Sequence, residues 1–216
     1  MINAVVINLA RRPERLAAFR QRFAHWPDPI ERLDAVDSQQ VTAPEWYDLG
    51  ERGVNAWACR CSHIAALDLA MARGWDHLLI FEDDAIPRHG IDPYQTTELL
   101  MASAPSGWDV LYAGGQHLLP PVREIGCNLL RCRNVNRTHA YLVSGSAFEK
   151  VHGFLLDLEN WKQHPKAHID HYYGTICERW RVYAPPLWIF GQAGGRSDIS
   201  PNIYPARFWR LKEPAK

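Results

Sequence analysis

The chain has no long apolar run, no surplus of either charge and few cysteines, and each shortage removes a class of protein. The apolar stretch "INAVVINLA" directly after Met1 is too short to cross a bilayer. It has no basic flank before it and is followed by Arg11 and Arg12. It reads as a first strand rather than a signal peptide, and no other stretch approaches membrane-spanning length. Lys plus Arg (24) balances Asp plus Glu (24), so a whole-protein basic field for gripping nucleic acid is lacking. No stable nucleic-acid partner is expected. The five cysteines (Cys59, Cys61, Cys127, Cys132, Cys177) are an odd number in 216 residues, which points to reduced thiols and a cytoplasmic setting. Cys59-x-Cys61 and Cys127-x4-Cys132 are poor matches to the common zinc spacings, so zinc is not expected.

What is present suits a globular α/β protein. Apolar residues make up 47% and charged residues 22%, and a chain of this length buries roughly 70% of its unfolded surface without staples. "AVVINL" is an unbroken apolar run, as in a strand covered on both faces. Pro13 opens a helix with Leu16, Phe19 and Phe23 at helical spacing. "IERLDAVD" reads as a weaker strand, and Val41 to Asn55 as loops and short turns. "ACRCSHIAALDLAMARG" is a helix with Ile64, Leu67 and Met71 inward, stopped by Gly74. "HLLIFEDD", "WDVLYAGG" and "THAYLVS" are strands. Helices are expected over "SAFEKVHGFLLDL" and from Ile169 to Arg179, with "RVYAPPLWIF" after them. The alternation predicts one α/β domain over residues 1–200 with a mostly parallel sheet. Residues 201–216, with the basic and aromatic "ARFWRLK", read as a peripheral tail.

In "LLIFEDDA" an apolar strand runs straight into Glu82, Asp83 and Asp84. Three adjacent carboxylates repel, and unpaired charge at the end of a buried strand is costly. A solvated turn is one account; a shared divalent cation is the other. Ligands of open α/β sheets bind beyond the carboxyl ends of strands, where Asn8 and Arg11 follow the first strand. If these strands are neighbours, guanidinium groups for phosphate oxygens meet carboxylates for Mg²⁺ or Mn²⁺. Arg11, Arg12 and Arg15 also read as a solvated helix face, and His63 as a satisfied core histidine.

Taken in order, "INLARRPERLAAF", "CRCSHIAALDLA", "LLIFEDDA", "WDVLYAGG", "THAYLVSGSAFEKV" and "SDIS" resemble glycosyltransferase family 25. That group includes the lipooligosaccharide galactosyltransferases and the collagen galactosyltransferase domain. The resemblance spans Ile2 to about Ser200 and implies a GT-A type, Rossmann-like fold, a UDP-sugar donor such as UDP-galactose and a divalent cation, Mn²⁺ or Mg²⁺. It implies that Asn8, Leu9, Arg11 and Arg15 lie near the nucleotide phosphates. Cys59, Ser62 and His63 match an element under the donor site. Asp84 is the implied first metal ligand, with Glu82 or Asp83 on ribose or metal-bound water and Glu82 a second ligand. Thr138, His139 and Tyr141 match the segment shaping the donor-sugar side, Asp170 a lone family aspartate, and Ser197 with Asp198 the late Ser-Asp element. Cys61 replaces the usual apolar residue before Ser-His, and "LYAGG" lengthens the usual "LG".

Inverting transfer, as in the family, needs one base and no covalent intermediate; Asp170 is the expected base and Asp198 the second choice. Competing readings are a sugar-nucleotide-binding protein without turnover, which would lose metal dependence, and a metal-dependent phosphohydrolase, which would need no acceptor. The hydroxyl acceptor is expected to be a cell-surface oligosaccharide, with a peptide or a hydroxymethylated nucleobase as alternatives. The basic and aromatic tail suggests peripheral contact with the inner face of a membrane. Among the nine tryptophans, Trp57 and Trp188 are the candidate sugar platforms.

Overall fold

The computed structural model describes residues 1–196, 198–199 and 202–210. Its strands are β1 (Ala4–Asn8), β2 (Ile30–Asp34), β3 (His77–Glu82), β4 (Ala85–Pro87), β5 (Val110–His117), β6 (Val122–Arg123), β7 (Leu130–Arg131), β8 (Val135–Ser144), β9 (Val182–Ala184), β10 (Phe190–Gln192), β11 (Gly195–Arg196) and β12 (Ile203–Tyr204). The helices are α1 (Pro13–Arg22), α2 (Gly53–Ala72), α3 (Pro93–Ser103), α4 (Phe148–Leu156), α5 (Leu158–Lys162) and α6 (Ile169–Gly174). The main sheet runs β2-β1-β3-β8-β5-β9-β7-β6.

The unbroken apolar runs follow from burial on both sheet faces. Val5, Ile7, Leu78 and Ile80 point to one face and pack with α2, α4 and α6; Ala4, Val6, Leu79 and Phe81 point to the other and pack with α1 and α3. Side chains alternate across a strand, so two covered faces demand apolar residues at every position.

The sheet is mixed, which corrects the expectation of a mostly parallel one. β1–β2, β1–β3 and β5–β9 pair parallel, whereas β3–β8, β5–β8, β6–β7 and β7–β9 pair antiparallel. β8 is buried on both faces and so reads like a parallel strand. Only the short β6 and β7 lie between β5 and β8, and without a crossover helix the chain returns antiparallel. The mixed order has a consequence for function. β8 begins at the edge where β1 and β3 end, with Phe81 opposite Ala140 and Ile7 opposite Glu82.

α2 starts earlier than expected, at Gly53, and buries small residues (Ala56, Ala58, Ala66, Ala70) around Leu67, whereas Ile64 and Met71 are only partly buried. Gly74 ends it in the left-handed region, φ +63°. The helix expected to reach Arg179 stops at Gly174 and continues as turns.

The glycines of "LYAGG" have a packing cause. A Cβ on Gly114 would press on the His139 ring and stand 2.7 Å from the Phe190 carbonyl oxygen, and one on Gly115 would meet Val135 at 2.8 Å. Gly114→Ala should therefore lower stability by about 1–3 kcal/mol, read as a lower urea midpoint. An unshifted midpoint would mean that β5 moves freely relative to β10.

Candidate active site: a cleft of guanidinium and carboxylate groups

The carboxyl ends of β1 and β3 open into a cleft of about 570 Å³ whose walls come from α1, α2, β8, α6, residues 192–196, Asp198, Ile199, Tyr204, Arg207 and Trp209. Leu9, Arg11, Arg15, Ser62, His63, Glu82, Asp83, Asp84, Thr138, Asp170 and Asp198 all line it. Asn8, His139 and Tyr141 lie behind its wall, at most 1% exposed. Ser197 lies outside the described residues.

The acidic run splits into three environments because its residues leave the strand in different directions. Asp83 accepts from Asn8 Nδ2 (2.7 Å) and pairs with Arg15 Nη2 (2.5 Å), and its carbonyl accepts from Arg22 (2.8 Å). Burial nevertheless raises its pKa, against the pull of Arg15 and Asn8. Glu82 Oε1 accepts from Thr138 Oγ1 at 2.6 Å and faces His63 Nε2 at 3.5 Å. Burial opposes its ionisation, but His63 and Thr138 outweigh that and hold it at about 2.

Asp84 is different. Its Oδ2 accepts from Gln192 Nε2 at 2.9 Å and lies 3.3 Å from Arg15 Nη2, whereas Oδ1 is buried without a partner among the described residues. Burial, then repulsion from Glu82, raises its pKa to about 7. A buried carboxylate oxygen with no donor fits a hard divalent cation such as Mn²⁺ or Mg²⁺.

Arg11, Arg12 and Arg15 converge at the start of α1 and all reach Asp198, at 3.1, 2.6 and 3.0 Å. Burial would raise the Asp198 pKa, but Arg12 leads the three guanidinium groups in lowering it. Asp170, on α6, accepts from its neighbour's amide (His171 N, 2.9 Å) and lies 3.8 Å from Arg137 Nη1. Ser62 holds the frame: its Oγ donates to the Ala58 carbonyl and accepts from Val36 N, both at 2.9 Å, tying the segment after β2 to α2.

Three residues of the cleft escape a reading of the sequence. Arg12 shares a run with Arg11 and Arg15, but nothing in that run sets it apart as part of the site. Arg137 lines the cleft with φ +84°, an uncommon left-handed backbone for a residue other than glycine, where the β5–β8 register shifts. Trp209 also lines the cleft, tilted against His139 (5.5 Å) and under Arg137 (5.1 Å). His139 itself is lowered to about 4 by burial and is therefore neutral at pH 7.

Arg207 and Gln192 exchange backbone hydrogen bonds, and Phe208 packs on Gly191 and under Arg88. Both aromatics of "ARFWRLK" are half-buried, while Leu211 and Lys212 lie outside the described residues. Trp57 and Trp188, the expected sugar platforms, are core residues at 7% and 1% exposure. No helix among the described residues is long and apolar enough to cross a membrane.

No protein-family model and no characterised protein sequence matches the chain. Among solved structures it superposes on a mannose-1-phosphate geranyltransferase from Thermus thermophilus with a TM-score of 0.50 and 14% identity, covering 88% of this chain and 74% of that one. A glycosyltransferase involved in the glycosylation of the major capsid of PBCV-1 matches at TM-score 0.46 and 12% identity, covering 86% of this chain and 82% of that one. The fold is α/β and Rossmann-like. At these identities the likeness is one of fold, and the narrower likeness to family 25 rests on the sequence motifs.

Proposed function

We propose that the chain is a metal-dependent, family 25-like glycosyltransferase that moves a hexose, galactose or glucose, from a UDP-sugar to a hydroxyl acceptor with inversion. The acceptor proposed is a cell-surface oligosaccharide, and the setting is the cytoplasm. One observation carries this reading: three guanidinium groups converge on Asp198, and one of them, Arg15, also reaches the strand-end carboxylate Asp84, whose buried Oδ1 has no partner among the described residues. A nucleoside diphosphate is the ligand whose charge complements the first, and a divalent cation the ligand that complements the second.

Asp84 would hold Mn²⁺ or Mg²⁺, with Glu82 as the second carboxylate. A cation bound there supplies Lewis-acid neutralisation of the diphosphate. Arg11, Arg12 and Arg15 would bind the phosphate oxygens in a site partly screened from water, where such contacts count for more. They are held by Asp198 in this structure, so a diphosphate must take over those contacts. Asp83 keeps Arg15 aimed, and Asn8 keeps Asp83 aimed. Asp170 would accept the proton of the incoming hydroxyl.

Calorimetric titration with UDP tests the donor site. Micromolar binding is expected in Mn²⁺ and should vanish in EDTA. Binding of GDP, CMP or dTDP in preference to UDP would replace the donor assignment, and no nucleotide binding in any metal would sink the reading. Release of phosphate from a UDP-sugar without an acceptor would favour the phosphohydrolase.

A further inference from the structure

We propose that Cys59, His63 and Glu82 form a second metal site, suited to zinc, on the floor of the cleft, next to the hard-cation carboxylate Asp84 and sharing Glu82 with it. Donor atoms of these three residues all lie within 4.8 Å of one another. Cys59 and His63 are four apart on α2, and such residues share a helix face. Glu82 meets them from the end of β3. The Cys59-x3-His63 pair is not a half-site that cysteine spacing alone discloses, because the third ligand comes from the sheet.

His63 is prepared as a ligand. Its Nε2 is fully buried, has no hydrogen-bond partner among the described residues and faces Glu82 at 3.5 Å. Its Nδ1 lies 2.8 Å from the Tyr141 hydroxyl, and Tyr141 in turn donates to the Tyr173 hydroxyl at 3.4 Å. Nδ1 is thus engaged with the Tyr141 hydroxyl, and Nε2 is the ring nitrogen directed at Glu82 and left to meet a metal ion. An outer partner of this kind fixes the tautomer of a metal-bound histidine. Thr138 Oγ1 does the same for the carboxylate, donating to Glu82 Oε1 at 2.6 Å.

The donor set selects the ion. Thiolate and imidazole are softer ligands than Mg²⁺ or Mn²⁺ prefer, and Cys, His and carboxylate are all ordinary zinc ligands. All three residues line the cleft. Three protein ligands leave a fourth tetrahedral position open, which is the arrangement of catalytic rather than structural zinc.

The test needs no nucleotide, so its failure is distinct from failure of the transferase reading. Metal-free protein is titrated with Zn²⁺ against a chromogenic chelator, and with Co²⁺ while the near-ultraviolet thiolate charge-transfer band is followed. A single tight equivalent and a thiolate band are expected in the parent. Loss of an outer partner costs roughly 10–100-fold in metal affinity. Tyr141→Phe should fall in that range, and Cys59→Ser should lose at least as much together with the band. Cys127→Ser should bind as the parent does. Circular dichroism checks that each variant folds, and Tyr141→Phe still decides the matter if Cys59→Ser does not. No Zn²⁺ binding by the parent overturns the site, and so does parent-like affinity in Cys59→Ser.

Discussion

An Asp84→Asn variant is expected to melt roughly 5–10 °C above the parent in metal-free buffer at pH 8, and to lose Mn²⁺-dependent UDP binding. The first effect follows from the ionisation cost of Asp84. Its pKa is raised to about 7 by burial and by Glu82, so the folded chain keeps a proton there that the unfolded chain has released. Stability from this group is fully present below about pH 4, is lost progressively as pH rises, and is gone above about pH 7. The cost at pH 8 is about 2–4 kcal/mol. Asparagine carries no charge to desolvate and can still accept from Gln192. The advantage of the variant should therefore shrink as pH falls from 7 towards 4. Adding Mn²⁺ should raise the melting temperature of the parent and not of the variant, because only the parent has the carboxylate that binds it. A variant less stable than the parent at every pH would show that Asp84 is held by contacts and not awaiting a cation.

Much of this arrangement is legible in the sequence. "AVVIN" and "LLIF" are apolar at nearly every position, which requires two covered faces, and that places their ends at a ligand-binding edge. The meeting of Asn8 with Asp83, 75 residues away in the chain, follows once β1 and β3 are neighbours. What the sequence conceals lies in direction and long-range closure. A strand buried on both faces reads alike whether parallel or antiparallel, so β8 does not disclose its direction. Arg137 takes a left-handed backbone where the β5–β8 register shifts, and nothing in "NVNRTHA" marks it. Trp209 reaches the cleft only because Arg207 pairs with Gln192, a contact between segments with no shared pattern. The close packing at Gly114 is visible in the sequence as an extra glycine but not as a reason.

The choice of base separates two carboxylates that the sequence leaves level in kind. Asp198 holds three guanidinium groups, at 3.1, 2.6 and 3.0 Å from Arg11, Arg12 and Arg15, and its lone pairs are spent on them. A carboxylate whose pKa is pushed down in this way is a weak proton acceptor. Asp170 is 14% exposed at its side chain, faces the cleft and has Arg137 no nearer than 3.8 Å. Its Oδ2, 3.8 Å from Arg137 Nη1, is the oxygen that would take a proton from an incoming hydroxyl. Asp170→Asn should slow transfer by about 10²–10⁴-fold and leave the Kd for UDP unchanged, because no phosphate-binding group is disturbed. Asp198→Asn should retain turnover and bind UDP more tightly, since an amide competes less well than a carboxylate for the guanidinium groups the diphosphate needs. Reversal of the two results would make Asp198 the base, released from its arginines once the donor is bound. Full turnover in both variants would move the proton acceptor out of this cleft wall and onto the acceptor substrate itself.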